Sequence, residues 1–140
     1  MLEITEQSRI VSMGVIKVPT EYSLGKRLQL LHAEILIVAH THTPELVVIE
    51  EGYCGVDGRS ALKLGMVRGA LLTAFAGVEV AMYSPSYIKK RVLGKGNASK
   101  NETLLWVNQN FPDAQIKSQD IADAVIVGLA GYDEVSVEVV

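Results

Sequence analysis

Three carboxylates, at the predicted end of a strand and the predicted start of a helix, could together bind a divalent cation. Glu50 ends the apolar run at residues 46–49, which has the pattern of a strand buried on both faces. Asp120 and Asp123 are three residues apart, on one face of the first turn of a helix predicted over residues 119–130. Hard oxygen ligands on separate elements suit Mg²⁺ or Mn²⁺, which can activate water against a phosphodiester. Each acid also has an ordinary interpretation: Glu50 as a solvent-exposed strand end, and the aspartates as partners of the helix dipole.

A basic segment follows the middle of the chain. Five cations fall within 12 residues with no acid among them: Lys89, Lys90, Arg91, Lys95 and Lys100. A solvated face usually mixes both signs, so this segment indicates a phosphate-bearing partner. The net charge of the chain is −3, so any binding of nucleic acid must depend on a local basic face of this kind.

The elements that must position these residues follow from periodicity and from turn residues. The pattern predicts a strand over residues 9–18, preceded by the tail of another strand and a turn at residues 6–8, and a helix that begins after Ser23 and ends near residue 42. It further predicts a strand ending at Glu50, a helix over residues 59–74 and a strand over residues 78–83. A helix over residues 101–111 has Leu104, Leu105 and Trp106 as core candidates, and an alternating strand covers residues 134–140.

The helix over residues 59–74 carries a stripe of small residues, namely Ala61, Gly65, Gly69 and Thr73, at spacings of four. Glycine inside a helix costs about 1 kcal/mol relative to alanine. Two glycines on one face therefore indicate the close approach of another backbone. That backbone belongs either to this chain or to a second subunit.

Composition limits the class of protein. With 140 residues, 49% of them hydrophobic and 21% charged, the chain suits one globular domain over residues 1–140. No apolar run reaches the roughly 18 residues needed to span a bilayer, and no signal peptide is visible. Cys54 is the only cysteine, which fits a reducing cytoplasm.

Several segments together resemble the RuvC-type Holliday junction resolvases of the ribonuclease H-like superfamily. They are Val48-Ile49-Glu50-Glu51 and the segments at residues 60–69, 84–90, 94–100 and 119–124, which in order and spacing cover about residues 8 to 130. The resemblance implies a mixed-sheet α/β fold with helices on both faces. It also implies a Mg²⁺-dependent endonuclease, with Mn²⁺ as a substitute, that binds four-way DNA junctions as a homodimer and nicks two opposing strands.

The resemblance assigns roles by position. Glu50 matches the family's second catalytic acid, and Asp120 and Asp123 match its C-terminal pair. Lys89 and Lys100 match basic residues near the scissile phosphate, and Tyr53 falls where the family has an aromatic that stacks on junction bases. The basic segment (Lys89, Lys90, Arg91, Lys95 and Lys100) is expected to bind DNA, and the helix with Ala61, Gly65 and Gly69 to form the dimer contact.

One part of the family pattern has no counterpart. The family opens on a strand with Gly-Ile-Asp-Xaa-Gly, whose aspartate is its central metal ligand, and no segment of the 140 residues matches it. Three explanations stay open: a start codon assigned too far downstream, a naturally truncated inactive relative, or a C-terminal strand at residues 134–140 that partly fills the vacant sheet position. The alternative function is therefore a catalytically inactive junction-binding dimer.

Overall fold

The computed structural model of the protein describes residues 2–3, 8–52 and 57–131. Its elements in chain order are strands β1 (Leu2–Glu3) and β2 (Arg9–Ile10), helix α1 (Leu24–His42), strand β3 (Leu46–Glu50), helix α2 (Gly58–Ala74), strand β4 (Glu79–Tyr83), and helices α3 (Pro85–Leu93), α4 (Lys100–Asn110) and α5 (Gln119–Ala130). Tyr53 and the strand predicted over residues 134–140 lie outside the described residues.

Contacts group the chain into two units, each assembled from separate stretches. Unit 1 consists of Met1–Gly14, Val48–Glu51 and Ala81–Val140, and unit 2 of Val15–Val47 and Gly52–Val80. The single domain expected over residues 1–140 stays a prediction.

The helices of unit 1 begin at serines. The side chains of Ser84, Ser99 and Ser118 each accept a hydrogen bond from a backbone N–H in the first turn of α3, α4 and α5. Ser99 also forms a reciprocal capping box with Glu102, in which each side chain bonds the other residue's backbone N–H. These caps fix where each helix starts. They therefore place Lys100 and Asp120 in the first turns of their helices.

The core of unit 1 is built around α5, in which Ala122, Val125, Ile126, Val127 and Ala130 are buried. Val107 and Thr103 of α4 are fully buried one helical turn apart. The prediction that Leu105 belongs to the core is wrong, because its side chain is 60% exposed. Leu104 and Trp106 are partly buried against the cluster, so the buried face of α4 is centred on Thr103 and Val107.

Unit 2 contains α1 and α2, which pack against each other. The N-cap predicted at Ser23 is confirmed, since its side chain accepts a hydrogen bond from the Lys26 backbone N–H. His32 of α1 lies 3.0 Å from the Ala70 carbonyl oxygen of α2, with its Nδ1 atom as the contact. α1 has 19 residues, yet no described helix is both long and apolar enough to cross a membrane.

The described strands form two sheets of two strands each, β1 with β2 and β3 with β4. The antiparallel pairing of Leu2 with Ile10 and of Glu3 with Arg9 agrees with the predicted hairpin. β3 and β4 are connected through α2, and they form a small parallel sheet. The strand predicted over residues 9–18 is wrong beyond Ile10: Val11, Met13, Val15 and Ile16 are exposed and in no regular element. Strand-forming residues need a neighbouring strand for their backbone hydrogen bonds, and the described residues offer none there.

Candidate active site

A small open cleft of about 170 Å³ lies in unit 1, where the end of β3 meets the starts of three helices. Its lining combines two carboxylates, two ammonium groups and three apolar side chains: Glu50, Pro85, Ile88, Lys89, Lys100, Asp123 and Ile126. Three of the four residues predicted to be catalytic therefore share one cleft. The fourth, Asp120, has a side chain that is 79% exposed, and it is not part of the lining.

Lys100 connects the cleft to the first turn of α5. Its Nζ atom lies 3.6 Å from Oδ1 of Asp120 and 3.9 Å from Oδ2 of Asp123. The Asp123 side chain is only 25% exposed, and its other oxygen, Oδ1, is buried with no hydrogen-bond partner. A buried, unpartnered carboxylate oxygen is costly, so this atom is well suited to receive a positively charged or hydrogen-bonding group.

Glu50 is in an environment that disfavours its charge. Partial burial, followed by the negative charge of Asp123, raises the pKa of the Glu50 carboxyl, whereas Lys89 and Lys100 act in the opposite direction. The two acids therefore interact across the cleft although 73 positions separate them in the sequence.

Removing one of these charges has a measurable consequence. In Asp123→Asn the pKa of Glu50 is expected to fall, because the repulsive charge of Asp123 is lost while the effects of burial and of the two lysines remain. Carbon-13 NMR titration of the Glu50 carboxyl measures this change, with Asp120→Asn as the control. An unchanged Glu50 pKa in Asp123→Asn would mean that the two carboxylates do not interact.

Lys89 is held in place by the loop that follows α3. Its ammonium donates a hydrogen bond of 2.8 Å to the Ala98 carbonyl oxygen. The loop approaches α3 closely at Gly96, where an added Cβ would lie 3.1 Å from the Ser86 carbonyl oxygen. A residue larger than glycine would push the loop away from α3, and with it the carbonyl that anchors Lys89.

The remaining cations of the basic segment differ in their surroundings. Lys95 donates to Oε1 of Glu102 at 2.7 Å, an interaction that contributes most to lowering the pKa of Glu102 to about 2. Arg91 donates from Nε to the Ala130 carbonyl oxygen at 3.0 Å, at the end of α5. Lys90 is exposed. The absence of acids in this stretch of sequence therefore does not leave Lys95 unpaired, because Glu102 comes just after it.

The donor set of the cleft fits a hard divalent cation. Glu50 and Asp123 offer carboxylate oxygens, including the unpartnered Oδ1 of Asp123. Among the described residues no group of three or more potential ligands converges on one point. Mg²⁺ is commonly held by one or two carboxylates together with waters and a substrate phosphate, so two carboxylates are sufficient for such a site.

Comparison with known proteins assigns the family. Residues 2–131 match the family described as "Crossover junction endodeoxyribonuclease RuvC". The chain belongs to this RuvC family. RuvC from Parvibaculum lavamentivorans is 35% identical over 121 residues, which cover 85% of this chain and 69% of that protein. RuvC from Rhodospirillum rubrum is 36% identical over 121 residues, covering 85% of this chain and 72% of that protein.

Solved RuvC structures have the same fold. Thermus thermophilus RuvC superposes with a TM-score of 0.79 at 30% identity, covering 97% of this chain and 86% of that one. The structure of T. thermophilus RuvC in complex with a Holliday junction substrate gives a TM-score of 0.83 at 29% identity, covering 96% of this chain and 86% of that one. The fold of this chain is therefore the RuvC-like α/β fold of the ribonuclease H-like superfamily.

The small residues expected at a RuvC dimer contact lie on α2, in unit 2. Gly65 and Gly69 are exposed, and a Cβ built on either would meet no atom within 4 Å. Ala61 is partly buried. The described part of this chain therefore supplies no close neighbour that explains the two glycines.

Two polar contacts near the cleft were not predicted from the sequence. One is the Ala98 carbonyl that anchors Lys89, and the other is a hydrogen bond of 2.8 Å from Gln119 Nε2 to Asn101 Oδ1. The first contact is made to a backbone oxygen, which any residue type could supply, and the second joins residues 18 positions apart in the sequence. The one available signal was adjacency, since Asn101 follows Lys100 and Gln119 precedes Asp120.

Proposed function

We propose that this protein is a structure-selective endodeoxyribonuclease that resolves four-way DNA junctions by paired, Mg²⁺-dependent nicking. The observation that supports it most is the convergence of Glu50, Asp123, Lys89 and Lys100 in one cleft of a RuvC-family chain. Carboxylates alone would repel a phosphodiester, and cations alone would only bind it. Together they provide both a cation site and groups that stabilise phosphate charge.

In this proposal Glu50 and Asp123 of the cleft would hold Mg²⁺, for which Mn²⁺ can substitute. Asp120 would complete the ligand set by turning its exposed side chain toward Asp123. When bound there, such an ion would supply Lewis-acid stabilisation of phosphate charge and would lower the pKa of a water molecule. Asp123 is the best-prepared ligand, because its Oδ1 atom is buried without a partner. The raised pKa of Glu50 fits the same role, since a carboxylate that is poorly stabilised by its surroundings gains most from a cation.

Lys100 and Lys89 stabilise the negative charge that develops on the phosphate. Lys89 is prepositioned, because its ammonium is fixed on the Ala98 carbonyl and does not need to be ordered when DNA binds. Lys100 lines the same cleft, and its ammonium lies 3.6 and 3.9 Å from carboxylate oxygens of Asp120 and Asp123, where it can contact a phosphate that is bound beside these acids.

The remaining basic residues and one aromatic are proposed as DNA contacts outside the cleft. They are Lys90, Arg91, Lys95 and Tyr53, of which Tyr53 would stack on an unpaired base, an interaction worth about 1–3 kcal/mol.

Salt dependence distinguishes two of these contacts. Lys90→Ala is expected to make the negative slope of log K against log salt for junction binding shallower by about 0.9, because one phosphate contact is lost. Lys95→Ala is the matched control, and we expect a smaller change since Glu102 already offsets part of its charge. Fluorescence anisotropy over a salt series measures both slopes. Equal slopes in Lys90→Ala and the wild type would remove Lys90 from the DNA interface.

The proposed enzyme is a homodimer in which α2 of one subunit meets α2 of the other at Ala61, Gly65 and Gly69. Two observations support this. The glycines have open space where a Cβ would lie, and the apolar side chains Leu62 and Leu64 of the same helix are exposed. Paired nicking needs two cleavage sites on one junction, and a symmetric dimer provides them.

The whole-chain fold proposed is the family's mixed sheet with helices on both faces, to which the antiparallel pair β1–β2 and the parallel pair β3–β4 would belong. The single cysteine of the sequence is consistent with the proposed cytoplasmic location.

The test is direct nicking of a synthetic four-way junction in which each strand is labelled in turn, with and without Mg²⁺. The expected result is cleavage of opposing strands of the junction and no cleavage of a linear duplex of the same sequence. Binding of the junction without cleavage, in either Mg²⁺ or Mn²⁺, would support the catalytically inactive junction-binding dimer instead. Absence of both binding and cleavage would reject both functions.

A further inference from the structure

The charged groups of the candidate active site stand at the starts of two helices. Lys100 is the first residue of α4, and Asp120 is the second residue of α5, followed by Asp123 in the same turn. The direction of the Lys100 ammonium therefore depends on how the two helix starts are held relative to each other.

The start of α4 is fastened to α3 and its loop by several polar contacts. Glu102 bonds both the Ser99 backbone N–H and the Lys95 ammonium, each at 2.7 Å. The adjacent Ala98 carbonyl accepts the hydrogen bond of Lys89. These contacts fix α4 from one side, and none of them reaches α5.

On the side of α5, the shortest polar contact described between the two helix starts is the hydrogen bond from Gln119 Nε2 to Asn101 Oδ1, at 2.8 Å. The ion pairs of Lys100 with Asp120 and Asp123 are longer, at 3.6 and 3.9 Å, and partly solvated. Exposed ion pairs at such distances hold a flexible lysine only weakly. Asn101 follows Lys100 in the chain, and Gln119 precedes Asp120. The hydrogen bond between them therefore holds the backbone beside both charged residues.

We propose that Asn101 and Gln119 are positioning residues, which keep the starts of α4 and α5 together and thereby direct Lys100 toward Asp120 and Asp123. An effect of these two residues on catalysis rests on the proposed function. Their effect on the position of Lys100 does not. Neither residue lines the cleft itself, so the effect passes through Lys100 and the aspartates. Loss of the pair leaves both helices folded and lets the Lys100 ammonium move away from Asp120 and Asp123.

The experiment compares Asn101→Ala, Gln119→Ala and the double variant with Asn101→Asp, which retains an acceptor oxygen for the Gln119 amide. Asn110→Ala is the matched control, since Asn110 is an exposed asparagine at the other end of α4 whose amide donates to the Trp106 carbonyl. The structural measurement is the nuclear Overhauser effect between the Lys100 Hε and Asp123 Hβ protons. Junction nicking supplies kcat, anisotropy supplies the junction Kd, and thermal unfolding checks the fold.

We expect Asn101→Ala and Gln119→Ala to weaken the Overhauser effect and to lower kcat about two- to tenfold, the range expected for one net hydrogen bond. The double variant is expected to match the single variants, with junction Kd at the wild-type value and Tm lowered by a few degrees at most, as the loss of one hydrogen bond implies. Asn101→Asp and Asn110→Ala are expected to behave as the wild type.

Two results would overturn the proposal: an unchanged Overhauser effect in Gln119→Ala, or an Asn101→Asp variant as impaired as Asn101→Ala. If no variant and not even the wild type nicks junctions, but the Overhauser effect still changes as expected, the positioning of Lys100 stands and the proposed nuclease function fails.

Discussion

Replacing Glu50 by glutamine is expected to reduce nicking of a four-way junction by about 100-fold or more, while junction binding stays equal or becomes tighter. Glutamine keeps the size of the side chain but removes the charge that a divalent cation requires, and losses of this order are typical when a group that stabilises the transition state is removed. Binding is preserved because a neutral group near the phosphates repels DNA less than a carboxylate does.

Glu51→Gln is the matched control for that substitution. Glu51 is the chain neighbour of Glu50 and is exposed, but it does not line the cleft. Its backbone N–H bonds the Tyr83 carbonyl at 2.8 Å, a contact that the substitution leaves intact. We expect near wild-type nicking from this variant. A Glu50→Gln protein that cleaves as fast as the wild type would remove Glu50 from the active site.

Replacing Gly65 by glutamine is expected to separate dimerisation from folding. An added Cβ at this position would meet no described atom within 4 Å outside the backbone of its own helix, so the monomer should tolerate a side chain there and gain up to about 1 kcal/mol from better helix propensity. In the proposed dimer the same side chain would lie between two closely approaching helices. Overpacking of about 1–3 kcal/mol at each of two symmetry-related positions would weaken the dimer by about 2–6 kcal/mol.

Sedimentation equilibrium and thermal unfolding, measured on the same samples, check both parts of this expectation. Lys63→Gln is the control, since Lys63 is an exposed residue of α2 outside the stripe of small residues. A Gly65→Gln protein that dimerises as tightly as the wild type would place the subunit contact elsewhere than at this stripe. A Gly65→Gln protein with a much lower Tm would instead show that the glycine is needed within its own chain.

Local patterns in the sequence were sufficient to predict the helices and the strand that carry the residues of the candidate site. The helices predicted over residues 101–111 and 119–130 are observed at Lys100–Asn110 and Gln119–Ala130, so Asp120 and Asp123 lie near a helix start as predicted, and Lys100 is the first residue of its helix. The approach of Asp123 to Glu50 could not follow from periodicity, which describes one element at a time. Only the resemblance to the RuvC family predicted it, and the shared cleft agrees with that expectation.

The predictions that failed did so for tertiary reasons. Residues 11–18 have strand-forming side chains, but a strand also needs a neighbour, and a local pattern does not reveal whether one is present. Leu105 is apolar and lies within a helix, yet the buried face of that helix is set by Thr103 and Val107, which pack on the core of unit 1. The bond between Asn101 and Gln119 joins exposed polar residues 18 positions apart, for which the sequence carries no periodic signal.

The most direct test of the central claim uses a supercoiled plasmid that extrudes a cruciform. Two nicks placed in opposing strands within the lifetime of one complex convert this plasmid to the linear form, whereas independent single nicks give the open circle. We predict linear product that depends on Mg²⁺ and forms only from the plasmid with the inverted repeat. Open circles alone, or linear product in equal amount from a plasmid without the repeat, would contradict the proposal that this chain resolves four-way junctions.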